Sequence, residues 1–331
     1  MNLQNPQCQQ AVSQELRELL QRFDWDGINL AELYFESLEG ASNPSRFTPM
    51  NDDVRHMFEK QAGFDPKLLF DPSSAHSAGR HPEDLRRFLD FRADLASRMQ
   101  AKWLDVVDEA RGTKPWLDVV LTHLDDRLEP GIRDALGADI ARSLPFISAR
   151  HATLLVEDPA TLWDLGASRY AKMSQKYGEL ISNRQQIAVD INVVERYQDV
   201  YPTKKQTGTE LFQLVHQAAA SFPRVALYFE NSLEKQDLEL LPAAASTARI
   251  SQPEPDELMI DGRATSRVQW NGNVEVDGQL WPIQAGNVVL LPSGKHRLTP
   301  GFSDPAVRLS DFNGEIRRAI AERGRVDLSY R

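Results

Sequence analysis

The chain has 331 residues, of which 41% are hydrophobic and 26% charged, and its formal net charge at pH 7 is −10. The composition is ordinary for a globular protein, and the length allows one large domain plus a smaller one. The acidic balance disfavours a nucleic-acid partner, because phosphate backbones are bound by clustered Lys and Arg. The single cysteine, Cys8, excludes an intramolecular disulfide and a cysteine-based zinc site. No stretch reaches the ~18 consecutive apolar residues of a membrane helix.

Helices and strands are predicted to alternate along residues 1–245. Apolar residues spaced three and four apart predict helices at 5–22, 82–111, 131–144, 162–177 and 210–221. Short apolar runs predict strands at 28–37, 116–124, 152–156 and 187–193, with a fifth strand beginning at Val225. Residues 40–80 are rich in Ser, Asn, Pro and Asp and are predicted to form a long loop. Alternation at this spacing predicts right-handed crossovers and a parallel sheet.

The sequence pattern changes after Ala245. Residues 246–331 show short strands with the turn signals Asp261-Gly262, Asn271-Gly272, Asp277-Gly278 and Ser293-Gly294. This pattern predicts a small β domain, either sandwich-like or a meander. Residues 314–323 are predicted to form a short helix. The last six residues, 326–331, are predicted to form a strand without a partner, so we expect this domain to be truncated.

Two distant strand-like segments are nearly identical and end in carboxylates. Residues 28–37 read INLAELYFES, and residues 225–232 read VALYFENS. Strands buried on both faces of a parallel sheet are usually apolar throughout. Acids at their carboxyl ends are therefore unusual, and the mouth of a parallel barrel is the place where such side chains line a site.

The segment before the first of these strands carries a family resemblance. It consists of Asn5-Pro6, a helix, the run Phe23-Asp24-Trp25-Asp26-Gly27-Ile28, and then Glu32. It resembles the approach to the fourth strand of glycoside-hydrolase-type (β/α)8 barrels, in which a catalytic acid follows the Asp-Gly-Ile by a few residues. Ala31 stands where such families often carry a further acid.

The resemblance implies a partial (β/α)8 barrel over residues 1–245, with strands four to eight, followed by the β domain at 246–331. Strands one to three would be missing. We expect the chain to be a fragment whose N-terminal half-barrel belongs to a longer chain; the alternative is a truncated or differently closed sheet. The compartment is left open, because no signal peptide is visible. A fragment of an exported enzyme would be periplasmic or extracellular.

The implied activity is hydrolysis of a polysaccharide by two carboxyl groups, one acting as acid and one as nucleophile or base. Glu32 is the first candidate, and Asp190, Glu157 or Glu230, each at the end of another strand, is its partner.

Side chains at or just beyond strand ends are candidates for substrate binding. Aromatic rings can stack on sugar faces, while polar groups can bind hydroxyls. The candidates are Tyr34, Glu36, His123, Asp126, Asp158, Trp163, Asn192, Tyr197, Tyr201, Tyr228 and Asn231.

Two other functions compete with hydrolysis by carboxylates. One is a polysaccharide-binding or assembly protein without catalysis. The other is a metal-dependent hydrolase or deacetylase that uses His123 with the neighbouring aspartates, although no HxH or HExxH pattern supports it. P-loop, GxGxxG and GxSxG motifs are absent, so the sequence predicts no cofactor.

Overall fold

The computed structural model describes residues 4–193, 206–228, 230–246, 248–305, 307–309, 315–322 and 325–330. The chain forms two compact units. The first comprises Met1–Leu162 and Lys172–Asp190, and the second comprises Trp163–Ala171 and Ile191–Arg331. The domain boundary predicted at residue 245 lies inside the second unit and stays a prediction.

Helices and strands alternate through most of the chain, as the hydrophobic pattern predicts. In order, they are α1 (Pro6–Arg22), β1 (Gly27–Leu30), α2 (Asp52–Ala62), α3 (Pro82–Arg111), β2 (Asp118–Leu124), α4 (Gly131–Leu136), α5 (Ile140–Ala149), β3 (Thr153–Glu157), α6 (Ser168–Gly178), β4 (Ile187–Asn192), α7 (Gly208–Ser221), β5 (Val225–Tyr228) and α8 (Lys235–Ala244). The strands form one parallel sheet in the order β1-β2-β3-β4-β5, which curls into a half-barrel. The prediction of a partial (β/α)8 barrel is thereby confirmed.

The helices that precede β1 and β2 show why the sequence folds this way. The Asn5 side chain accepts hydrogen bonds from the amides of Gln7, at 2.9 Å, and Cys8, at 3.3 Å, and so caps α1. Helix α3 runs for 30 residues from Pro82, with the predicted bounds, and buries an apolar stripe. Its Trp103 belongs to a cluster that also includes Leu16 of α1 and Leu30 of β1.

The prediction of a long loop at residues 40–80 is wrong. The segment contains α2 and the 3₁₀ turns Gly40–Ser42, Pro44–Arg46 and Pro66–Phe70. Its aromatic side chains pack on α3, with the rings of Phe58 and Phe88 4.9 Å apart. Burial of these rings orders a segment whose Ser, Asn and Pro content indicates a loop.

The strand predicted at 28–37 ends at Leu30. Beyond it, the amides of Phe35 and Ser37 donate at 2.7 Å to the carbonyls of Leu136 and Ala135. The segment is therefore tied to α4 rather than to the sheet. The helix predicted at 131–144 is likewise two helices, α4 and α5, because Gly137 takes φ 58° between them.

The rest of the second unit contains short antiparallel strands. They are β6 (Arg249–Glu254), β7 (Glu257–Gly262), β8 (Ser266–Gln269), β9 (Val274–Val276), β10 (Gln279–Leu280), β11 (Gln284–Ala285), β12 (Val288–Leu291), β13 (Gly294–Pro300), β14 (Ile316–Glu322) and β15 (Arg325–Tyr330). They form three sheets, ordered β10-β9-β13-β7-β6, β11-β12-β8 and β14-β15. The two-residue turn predicted at Asp277-Gly278 joins β9 to β10, with φ 54° and 77°.

The prediction of a helix at 314–323 is wrong, because residues 316–322 form the strand β14. A bulge between Ile316 and Arg318 shifts the register of the strand. Ile316 and Ala319 consequently both reach the core, and this three-residue spacing is typical of a helix in sequence. The C-terminal strand β15, for which the sequence shows no partner, pairs with β14.

Candidate functional site

Two carboxylates meet at the carboxyl ends of neighbouring strands of the first unit. Glu157, the last residue of β3, is the register partner of Asp190 in β4. Residues in register on parallel strands point to the same face, and adjacent strands lie about 4.8 Å apart. On β2, the register partner of Glu157 is Leu124. The row therefore places two acids side by side, with an apolar residue next to Glu157.

The face that carries this pair is the less buried one. On the opposite face, Leu121, Leu154, Val156 and Val189 have no exposed surface and pack beneath the helices. On the face of the pair, Glu157 is half-buried and Asp190 is 5% exposed. Farther down the same face, the Thr122 hydroxyl donates to Asn29 Oδ1 at 2.8 Å. The acids thus share a face with this polar pair.

Glu32 lies two residues beyond the end of β1 and is exposed. Its φ is 57°, in the left-handed region that residues with a side chain rarely adopt. Tyr34 packs on the cluster of Ala96 and Leu136, whereas Glu36 is exposed. Glu32, Tyr34 and Glu36 therefore do not alternate along a strand, because β1 ends before them.

Helix α3 holds this segment with two buried polar side chains. Arg92 donates to the Phe35 carbonyl at 2.7 Å and to Ser37 Oγ at 3.0 Å. Gln100 donates to the Leu33 carbonyl at 3.1 Å. Helix α3 thus holds the segment that carries Glu32 by hydrogen bonds to residues 33–37. The hydrophobic pattern of α3 gives no signal for either residue, because buried polar groups interrupt its apolar stripe.

His123 and Asp126 form a separate, buried group. His123 has helix-facing parity on β2, opposite to Glu157, and its Nε2 lies 3.3 Å from Asp126 Oδ2. Asp126 also accepts from Arg127 Nε at 2.7 Å and Nη2 at 2.8 Å, and from the Ile140 amide at 3.0 Å. These contacts fix the start of α5 on the end of β2, which is a structural task.

The pKa values of the two aspartates in this group, Asp125 and Asp126, are shifted in opposite directions. Burial raises the pKa of Asp125, against the hydrogen bonds from the amides of Arg127 and Leu128. Burial also opposes ionisation of Asp126, but the hydrogen bonds from Arg127 and the contact with His123 outweigh it and hold that pKa well below its usual range. Tyr177, which is fully buried beside both carboxyls, has its pKa raised. Asp125 was considered from the sequence only as part of a metal site, and Arg127 and Tyr177 were not singled out.

Asp158 follows Glu157 directly and is fully buried. Among the residues that the structure describes, no three His, Cys, Asp or Glu side chains come together as metal ligands. The cluster that a metal-dependent hydrolase requires is therefore not supplied by His123 and its neighbours.

The remaining candidates belong to the second unit. Trp163 and Asn192 are buried, and the Asn192 carbonyl accepts from Gln206, whose Oε1 accepts from Arg169 at 2.9 Å. The Val193 amide donates to the Tyr228 carbonyl at 2.7 Å and joins the ends of β4 and β5.

Three further candidates at the end of β5 are exposed: Tyr228, Glu230 and Asn231. Tyr197 and Tyr201 lie outside the described residues. The Asp190–Glu157 pair is thus the set of predicted acids that the structure of the first unit brings together.

No protein-family model matches the chain, and no curated protein does. Among solved structures, it is similar to the PgaB (BpsB) glycoside hydrolase domain from Bordetella bronchiseptica, with 9% identity and a TM-score of 0.47 over 70% of this chain and 60% of that one. It is also similar to the catalytic domain of beta-amylase from Paenibacillus polymyxa, with 10% identity and a TM-score of 0.39 over 69% of this chain and 62% of that one. The chain therefore spans about three fifths of each domain. The predicted resemblance to glycoside hydrolase barrels is found as a likeness of fold.

No helix in the described part of the chain is both long and apolar enough to cross a membrane.

Proposed function

We propose that this protein hydrolyses a glycosidic bond of a polysaccharide at the carboxyl ends of β3 and β4. The observation that carries the proposal is the register pairing of Glu157 with Asp190 on the less buried face of a half-barrel sheet. The carboxyl ends of parallel barrel strands are where barrel enzymes place their catalytic groups.

The chemistry requires the two carboxyl groups to take different roles. In glycoside hydrolysis, one carboxylic acid protonates the leaving oxygen, and the other carboxylate attacks the sugar or activates water. Two neighbouring carboxylates repel each other when both are charged, so a close pair commonly keeps one proton. Leu124 in the same row adds an apolar neighbour, which disfavours a second charge.

Glu32 and Glu230 are the other acids in the proposal. Glu32 follows β1 at a backbone angle that costs free energy, and such residues cluster at functional sites. Glu230 begins the 3₁₀ turn Glu230–Ser232 just after β5. Glu32 would serve as an additional acid or as a hydrogen-bond partner of the sugar.

The test measures reducing ends released from a panel of polysaccharides by the full chain. Glu157→Gln and Asp190→Asn are each expected to lower the rate by about 10²- to 10⁴-fold, as loss of an acid or base does. Glu32→Gln and Glu230→Gln show whether those acids contribute. Glu59→Gln, which replaces an exposed acid on α2, is the matched control and should keep the full rate.

The proposal fails if the unmutated chain releases no reducing ends from any polymer of the panel. It also fails if both Glu157→Gln and Asp190→Asn retain full activity. Binding of a polysaccharide without hydrolysis would instead favour the non-catalytic binding protein.

A further inference from the structure

A cavity lies in the β-strand region of the second unit, far along the chain from the acidic pair. It has a volume of about 380 Å³, within the range of small-molecule sites. Its walls come from the ends of β6, β7, β8 and β13 and the turns beside them. They are formed by Gln252, Pro255, Asp256, Glu257, Leu258, Gln269, Trp270, Asn271, Asn287 and Pro300.

Trp270 is the aromatic residue of this cavity, and its ring is held in place. Its amide donates to the Asn287 carbonyl at 2.8 Å, and its indole Nε1 donates to the Asn273 carbonyl at 3.1 Å. The ring also packs against the buried core of the β strands. Because the polar edge of the indole already has its partner, what remains for a ligand is the apolar ring surface.

Amide side chains surround this ring. Gln269 and Asn271 flank Trp270 in sequence, and both they and Asn287 are exposed. Within the described part of the chain, the side chains of these three residues make no hydrogen bond to another residue. An amide offers both a donor pair and an acceptor, which matches the vicinal hydroxyls of a sugar.

The charges of the cavity limit what can bind there. Asp256 and Glu257 are its ionisable residues, and Glu257 is paired with Arg297. No Lys or Arg lines the walls. The carboxylates would therefore repel an anionic ligand, whereas an uncharged ligand meets no such repulsion.

We propose that this cavity binds a neutral sugar residue of a polysaccharide, which stacks on Trp270 and hydrogen-bonds to the amides of Gln269, Asn271 and Asn287. The combination of a fixed apolar ring, amide groups and an absence of positive charge fits an uncharged hexose or N-acetylhexosamine. Binding here requires no catalysis, so the site goes beyond the proposed hydrolysis and does not depend on it.

The test is affinity electrophoresis of the full chain in gels that contain mixed-linkage β-glucan, galactomannan, glycol chitin or polygalacturonate. At least one of the three neutral polymers is expected to retard the protein, and polygalacturonate is not. Trp270→Ala should weaken the retarding affinity at least about tenfold, as removal of an aromatic anchor does. Trp116→Ala removes a tryptophan that is 57% exposed before β2 and should leave the affinity unchanged.

A second variant guards against misfolding of Trp270→Ala. Gln269→Ala with Asn271→Ala changes only exposed side chains and should weaken binding several-fold, with an unchanged circular dichroism spectrum. Glu157→Gln should keep full retardation, so that loss of hydrolysis and loss of this site are told apart. The proposal is overturned if no neutral polymer retards the protein, if only polygalacturonate does, or if both cavity variants bind as tightly as the unmutated chain.

Discussion

Replacement of Arg92 by Met is expected to release the segment that carries Glu32. Arg92 is fully buried on α3, and its Nη1 donates to the Asp134 carbonyl at 2.8 Å. Its Nη2 donates to the Phe35 carbonyl at 2.7 Å and to Ser37 Oγ at 3.0 Å. The guanidinium therefore ties residues 35–37 to the end of α4.

The magnitude follows from these three acceptors. Each buried acceptor left without a donor costs about 1–3 kcal/mol. Loss of the contact with Phe47, whose ring centroid lies 4.4 Å from Cζ, adds about 1 kcal/mol. Burial of the guanidinium, which lowers the Arg92 pKa to about 10, is a cost that Met removes. We therefore expect Arg92→Met to lower the free energy of opening this segment by about 3 kcal/mol.

Hydrogen exchange measures this closure directly. The amides of Phe35 and Ser37 donate to α4 carbonyls, so they exchange only when the segment opens. A loss of about 3 kcal/mol corresponds to exchange faster by roughly 10²-fold. Arg86→Met, which breaks an exposed ion pair with Asp134, is the control and should change exchange less than about fivefold. Equal protection in Arg92→Met and the unmutated chain would refute the reasoning.

Three further variants test other features. Asp126→Asn should lower the free energy of unfolding by about 3 kcal/mol at pH 7. Because the folded pKa of Asp126 is held low, this carboxylate stabilises the protein fully above about pH 4, and the stabilisation is lost as the pH falls. The variant should therefore lose less stability in acid than the unmutated chain. Burial and the nearby charge of Arg267 lower the pKa of His216, so stability should fall as pH drops below about 6.5, and His216→Gln should remove that part of the loss. Glu32→Gly should stabilise the protein by about 1 kcal/mol, because glycine adopts φ 57° freely.

Urea titrations at a series of pH values measure these effects as free energies of unfolding. Acid dependence as steep in Asp126→Asn as in the unmutated chain would contradict the first prediction. An unchanged pH profile between 5 and 7 in His216→Gln would contradict the second. The third has Glu32→Ala as its control, since alanine keeps the strained angle; equal stability of the two variants would show that no strain is stored there.

The alternation of helices and strands was predictable because each element repeats its own hydrophobic period. The 30-residue helix α3 has the predicted bounds, and Glu157 ends β3, whereas β4 continues beyond Asp190 to Asn192. Their pairing was not predictable from residues alone. It depends on the register of β3 against β4, which the residues of either strand taken alone do not determine.

The wrong predictions concern segments whose apolar spacing resembles one type of secondary structure although the segment adopts another. Leu33 and Phe35 alternate like strand residues, yet they contact the cluster on α3 from a segment tied to α4. Ile316 and Ala319 have helical spacing because a bulge brings both to the core. Arg92 gave no signal at all, since its three acceptors come from segments distant in sequence.

Strand geometry finally gives a stereochemical prediction that separates the candidate pairs. Glu157 and Asp190 lie on adjacent strands, so their carboxyl groups are expected about 5 Å apart, which is the separation of retaining glycosidases. Glu32 follows β1, which lies two strands from β3, so Glu32 and Glu157 are expected farther apart than the carboxyl groups of a retaining pair. Proton NMR of the first-formed product should show retention of the anomeric configuration. Inversion would remove Asp190 from the nucleophile role and favour Glu32 as the partner of Glu157.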